Sequence, residues 1–233
     1  MENIREIRSF VRRNSRTTDA QRRALQHFWS QYGIDYQEQI LDLNAEFQRT
    51  APKHIEIGFG RGDALHYFAC HYPECDFLGI DIHLPGAGRL LQQLSDDALS
   101  NVRVMTEDAV KILTHCIAPN SIERFYVLFP DPWPKKRHLK RRLIQADFVA
   151  LIASRLKVNG EFYLATDWED YAYQMLNVLE ANACFQNKLA PRCFLPRWRV
   201  DRPLTKFEQR GQRLGHGVWD LCYVKREKNW VEK

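Results

Sequence analysis

Fourteen residues near the middle of the chain, FPDPWPKKRHLKRR (129–142), hold one acid, one indole and six Lys/Arg cations in close order. Asp131 stands between Pro130 and Pro132; Trp133 and Pro134 follow, then Lys135, Lys136, Arg137, His138, Lys140, Arg141 and Arg142. An apolar run over 125–129 stops at Pro130, so the acid falls at a strand end. Proline fixes its own φ and restricts the residue before it, so this spacing holds Asp131 and Trp133 rigidly. A fixed carboxylate beside a cationic strip points to a reaction centre abutting a polyanion. Trp133 has two readings, packing in the turn or stacking on a base.

Further acids fall at other strand ends. The first strand runs into Glu56-Ile-Gly58-Phe-Gly60-Arg-Gly62, where glycines let backbone approach a ligand. A dinucleotide fingerprint needs its third glycine at 63, which is Asp. Glu56 suits a cationic ligand better than a pyrophosphate. Asp81, at the next strand end, suits a ribose diol, and Glu107-Asp108 suits an adenine amino group. Together with Asp131 the set fits S-adenosyl-L-methionine, which carries a sulfonium, an ammonium, a ribose and an adenine. Asp63 and Asp108 also suit helix N-caps.

The elements that must position these residues alternate from about residue 53. Strands are predicted over 54–59, 76–82, 102–107, 124–129 and 161–167. Helices are predicted over 63–71, 88–99, 109–116 and 138–157, with Asn159-Gly160 stopping the last, and another carries Tyr171, Met175, Val178 and Leu179 inward. Five β-α units in succession imply a parallel sheet covered by helices on both faces. The last third breaks the alternation: a Pro/Arg-rich stretch (191–203), a polar loop (202–211) and a final strand (218–225) predict an antiparallel hairpin closing the sheet edge. Before the sheet, Leu25, Phe28, Trp29 and Tyr32 recur at helical spacing as a packing stripe, which Gly33 ends.

The division expected is a basic arm and amphipathic helix (1–50), one α/β domain (51–225) and a polar tail (226–233). Residues 54–130 hold five basic and ten acidic side chains, so the chain's net charge of +5 places +10 on the rest. Residues 1–23 alone contain seven arginines. This segregation is the footprint of a nucleic-acid binder. The six cysteines form no CxxC or Cys/His cluster in the sequence, so neither a metal site nor a disulfide frame is expected. The amino terminus lacks the apolar core of a signal peptide, and no run approaches about 18 apolar residues. A soluble cytoplasmic protein is expected, with no membrane partner.

Four strings, EIGFGRG (56–62), FPDPWPKKRHLKRR, ATDWEDY (165–171) and RPLTKFEQRG (202–211), carry a family resemblance. The chain resembles the bacterial tRNA (guanine-N7-)-methyltransferases over nearly its full length, from RSFVRR (8–13) to GHGVWDL (215–221). The resemblance implies a class I methyltransferase fold, a Rossmann-like three-layer α/β sandwich. It also implies S-adenosyl-L-methionine as cofactor, tRNA as partner, and methylation of guanine N7 at variable-loop position 46. Donor-binding positions fall on Glu56, Asp81, Asp108 and Asp131, and Asp131 is also the catalytic position. Substrate positions fall on Lys135, Asp167, Thr205, Lys206, Phe207 and Glu208, and the RNA strip on Arg137, His138, Lys140, Arg141 and Arg142. Asp81 stands where the family commonly has Glu, which shortens the reach to a ribose by one methylene. Asn14-Ser15 departs from the usual arm.

Guanine N7 carries an in-plane lone pair and no proton. Its methylation needs no general base and no metal; it needs a negative charge near a purine that becomes cationic. Exocyclic-amino methyltransferases place two prolines after the acid, whereas here a single proline separates Asp131 from Trp133 and a cationic strip follows. A non-catalytic RNA-binding module with this fold has no use for the intact acid set.

Overall fold

The computed structural model describes residues 17–199, 202–204, 208 and 217–227. The basic arm through residue 16, and Thr205, Lys206 and Phe207, lie outside the described residues. Seven strands form one sheet: β1 (Lys53–Ile57), β2 (Asp76–Ile80), β3 (Val102–Met105), β4 (Ile122–Leu128), β5 (Leu156–Thr166), β6 (Phe185–Asn187) and β7 (Trp219–Lys225). Their order is β3-β2-β1-β4-β5-β7-β6. The first five are parallel, and β7 is antiparallel to both β5 and β6. The closing pair is therefore antiparallel, with the later strand inside and the three-residue β6 at the edge.

The helices are α1 (Asp19–Tyr32), α2 (Leu43–Phe47), α3 (Asp63–His71), α4 (Leu84–Asp96), α5 (Ala109–His115), α6 (Ala146–Arg155) and α7 (Glu169–Glu180). Alternate side chains of β4 enter two cores: Phe125 and Val127 pack with residues of α5, α6 and α7, whereas Tyr126 and Leu128 pack with those of α3 and α4. Period-two alternation with both faces buried gives the continuous apolar runs seen in the sequence. The stripe on α1 joins the second core: Tyr32 is buried and donates to the Leu94 carbonyl at 3.2 Å, while Leu25, Phe28 and Trp29 pack at its margin.

Several boundaries differ from expectation: α4 begins at Leu84 rather than at residue 88, and two further differences lie around α6. The helix predicted over 138–157 is a 3-10 turn, Lys136–Arg141, followed by α6 from Ala146. The break lies where the backbone is committed elsewhere. Arg142 is buried, and the Ile144 N–H donates to the Tyr171 hydroxyl at 3.1 Å. At the other end α6 stops at Arg155, and β5 has already begun when the chain reaches Asn159-Gly160. Asn159 takes a left-handed φ of 66° inside that strand, near a register shift against β4. No helix of the described residues is long and apolar enough to cross a membrane.

Candidate active site

All five parallel strands end at one edge of the sheet. The order places β1 between β2 and β4, a point where the chain changes direction across the sheet. Ligands of open α/β sheets sit beyond such a point. There the structure gathers the Gly58–Gly62 loop after β1, Asp81 after β2, Asp108 after β3, Asp131 after β4 and Asp167 after β5.

The glycine loop is left-handed at Gly58, Gly60 and Gly62, with φ of 76°, 58° and 80°. A Cβ built on Gly58 or Gly60 meets nothing within 4 Å, so the loop borders open space. Behind it the packing is close: a Cβ on Gly86 of α4 falls 1.7 Å from the Gly60 carbonyl oxygen. Only a glycine at 86 lets the start of α4 rest on the loop. Asp81 ties the two together, accepting from the Gly60 N–H at 2.7 Å and the His83 N–H at 2.9 Å. A carboxylate offers about four acceptor positions, so both oxygens retain capacity for ribose hydroxyls. Burial raises the Asp81 carboxyl above its ordinary value, and the two N–H donors partly offset this.

Glu56 lies one residue inside the end of β1 and is buried. Its Oε2 has no hydrogen-bond partner among the described residues. Burial, then the neighbouring charges of Asp81 and Asp63, push its carboxyl from 4.5 to about 8. An unsatisfied buried acid costs free energy unless a cation or donor reaches it. Together with the open glycine loop, this observation fits a cationic nucleoside ligand. Asp108 is the N-cap of α5, accepting from the Val110 N–H at 2.7 Å. Asp63 is not a cap; it pairs with Arg89 at 2.9 Å.

The Asp131 loop is held by more than its prolines. Phe129 and Trp133 both have left-handed φ, 54° and 44°. Bulky side chains there cost on the order of 1–2 kcal/mol each, so surrounding contacts must fix them. The Phe129 N–H donates to the Ala165 carbonyl at 2.8 Å, and the Arg202 guanidinium lies 5.0 Å from its ring centre. Trp133 packs under Arg141 at 5.0 Å and against the edge of His138 at 5.7 Å. The ring is thus part of the strip's own packing. Burial and the positive neighbours Arg141, Arg137 and Lys135 hold the His138 imidazole below its ordinary range.

The strip divides on inspection. Lys135, Lys136, Arg137 and Lys140 are exposed. Arg142, read in the sequence as part of the RNA strip, is instead a buried latch. Its guanidinium donates to the Pro132 carbonyl (2.8 Å), Gln174 (2.6 Å) and Asp170 (2.6 Å), and stacks on the Tyr171 ring at 4.7 Å. It ties the Asp131 loop to α7, and Asp170 and Tyr171 belong to the ATDWEDY string.

Glu208 is likewise buried. It pairs with Arg202, whose fork is bidentate on Asp220 of β7 at 2.7 and 3.0 Å. Tyr163 donates to the same Asp220 at 2.7 Å. Burial opposes the charge on Arg202, but Asp220 and Glu208 outweigh it and raise its pKa. Arg202 thus joins Glu208 to Asp220 of β7. Sequence reasoning missed Gly86, Arg202 and Asp220. A glycine interrupting a helical pattern marks the first; no local pattern marks the pairing of the others. Nor does the sequence reveal that His66, Cys70 and Asp97 converge, with His66 2.5 Å from Asp97 and 3.8 Å from Cys70.

Comparison with known proteins agrees with this geometry. A family model described as a putative methyltransferase matches residues 50–221. The tRNA (guanine-N(7)-)-methyltransferase of Thiobacillus denitrificans is 52% identical over 220 residues, covering 94% of this chain and 96% of that protein. The protein of the same name from Pectobacterium atrosepticum is 50% identical over 220 residues, covering 94% and 92%. Among solved structures, the 16S rRNA (adenine(1408)-N(1))-methyltransferase from Catenulisporales acidiphilia superposes with a TM-score of 0.55 at 18% identity, covering 84% of this chain and 94% of that one. The antibiotic-resistance methyltransferase Kmr does so with a TM-score of 0.55 at 14% identity, covering 83% and 94%. At those identities the structures speak for the fold alone, a class I methyltransferase sandwich. With the relatives aligned across nearly the whole chain, this protein belongs to the tRNA (guanine-N(7)-)-methyltransferase family.

Proposed function

We propose that this protein uses S-adenosyl-L-methionine to methylate N7 of the guanine at variable-loop position 46 of tRNA, in the cytoplasm, giving 7-methylguanosine. The observation that carries the reading is Glu56, a buried carboxyl with an orphaned oxygen beside an open glycine loop, in a chain of this family. Glu56, Gly58, Gly60, Asp81 and Asp108 would hold the donor. When bound, it supplies an electrophilic methyl group on a sulfonium.

The protein's own task is charge and placement. N7 already presents its lone pair, so no side chain needs to remove a proton from it. Asp131 stabilises the positive charge that grows on the purine and accepts from the base's N–H groups. The prolines, the Arg142 latch and the Phe129 and Trp133 contacts keep that carboxylate from reorganising as charge moves. Lys135, Asp167, Thr205, Lys206 and Phe207 contact the substrate. Holding base and methyl group in line contributes much of the remaining acceleration. Arg137, His138, Lys140 and Arg141 face the tRNA backbone.

The test is incubation of purified protein with unmodified tRNA and methyl-labelled donor, followed by nucleoside mass spectrometry. One 7-methylguanosine per tRNA, mapped to position 46, is the result expected. N1-, N2- or ribose-methylated product overturns the reading.

A further inference from the structure

We propose that Trp198 is a stacking platform for an unpaired nucleobase of the tRNA, separate from the pocket for the target guanine. The proposal rests on the functional reading above. Trp198 is 77% exposed, whereas no other large apolar side chain among the described residues exceeds 49%. Its place in the chain is fixed rather than loose. The Leu195 N–H donates to the Asp220 carbonyl at 2.7 Å, Pro196 follows, and a 3-10 turn, Arg197–Arg199, is closed by the Arg199 N–H on the Pro196 carbonyl at 2.8 Å. An exposed indole on a prefixed turn loses little conformational freedom when something stacks on it.

Its surroundings select the occupant. Arg199 lies over the indole at 4.7 Å and makes no ion pair with a described residue, so a cation is kept at the ring. The same Arg199 lines a cavity of about 300 Å³ in which Glu161 pairs with both Arg124 and Lys188, so Arg199 is the cation there without an ion-pair partner among the described residues. Arg197 reaches Glu208 at 3.4 Å and so joins the turn to the Arg202–Glu208 pair. An aromatic face with positive charge beside it is how proteins hold single-stranded nucleic acid: bases stack on the ring and phosphates meet the cations. Trp133 is already packed between Arg141 and His138. The Arg199 guanidinium over the exposed ring favours a polyanion over a second copy of the chain.

The experiment measures binding of unmodified tRNA by fluorescence anisotropy for the full chain and for Trp198→Ala, Trp198→Leu and Trp198→Phe, with thermal unfolding confirming that each is folded. Ala and Leu should weaken binding about 10-fold, the scale of one lost base stack, while Phe stays within about 3-fold of the parent. In parallel, a single-stranded oligonucleotide should bind the parent more tightly than a duplex of equal charge, and Trp198→Ala should lose that preference. Ala or Leu binding tRNA as tightly as the parent overturns the proposal. So does a parent dimer that Trp198→Ala converts to monomer in sedimentation, which would make the ring a self-association contact. Failure of the parent itself to bind tRNA defeats the functional reading instead, so the two failures are distinct.

Discussion

At the scale of residues, two carboxyls of the proposed site differ in their surroundings. Asp131 is exposed on a braced loop, whereas Glu56 is buried with one oxygen unsatisfied. Asp131→Ala should lower kcat by about 100-fold or more while donor affinity moves far less, a split that single-turnover kinetics and calorimetry will separate. For Glu56 the pH dependence has a definite sign. Its pKa rises from 4.5 to about 8 on folding. Its contribution to stability is therefore full below about 4.5 and is lost as pH climbs toward 8. Without donor, the unfolding temperature should fall across that window by more in the parent than in Glu56→Gln. Donor binding near neutral pH should release a proton, read as a dependence of the calorimetric heat on buffer ionisation enthalpy that Glu56→Gln abolishes. The acids at the strand ends were legible in the sequence, because a parallel sheet delivers every strand end to one edge. The inward turn of Arg142 was not. Nothing in a run of cations tells which one finds Pro132, Gln174 and Asp170, since those partners come from other parts of the chain.

At the scale of elements, the two close joints of the site are a helix against a loop and a loop against a helix. Gly86 lets α4 rest on the glycine loop, and Arg142 fastens the Asp131 loop to α7. Gly86→Ala places a Cβ against the backbone of Gly60 and should abolish donor binding by calorimetry, even where circular dichroism shows the fold retained. Arg142→Ala removes three part-buried hydrogen bonds and should cost on the order of 2 kcal/mol in denaturant unfolding. It should leave the salt dependence of tRNA binding unaltered, which separates a latch from a phosphate contact. The alternating pattern located β1 through β5 and the helices between them, while boundaries moved wherever a tertiary partner competed for the backbone. The Tyr171 hydroxyl taking the Ile144 N–H is the clearest case, and it splits one predicted helix into a 3-10 turn and α6.

At the scale of the whole molecule, the charge separation read from the sequence acquires a geometry. The acidic middle third forms β1 to β4 with their strand-end acids, and exposed cations lie on the Asp131 loop and at Arg192, Arg197 and Arg199. Neutralising Lys136, Arg137 and Lys140 together should reduce the slope of log affinity against log salt by roughly 2–3, if each meets a phosphate. An unchanged slope would remove the strip from the interface. The strand order has a further consequence, for synthesis. β5 pairs with β4 on one side and with β7 on the other, and β7 is made more than fifty residues after β5 ends. While a ribosome is still building those residues, the half of the sheet made by β1 to β4 is available to fold, but one flank of β5 is a bare row of backbone donors and acceptors. Such an edge is where nascent chains stick to one another. The strand that finally covers it also carries Asp220, so protection of the edge and closure of the Arg202–Asp220 pair arrive in a single late step.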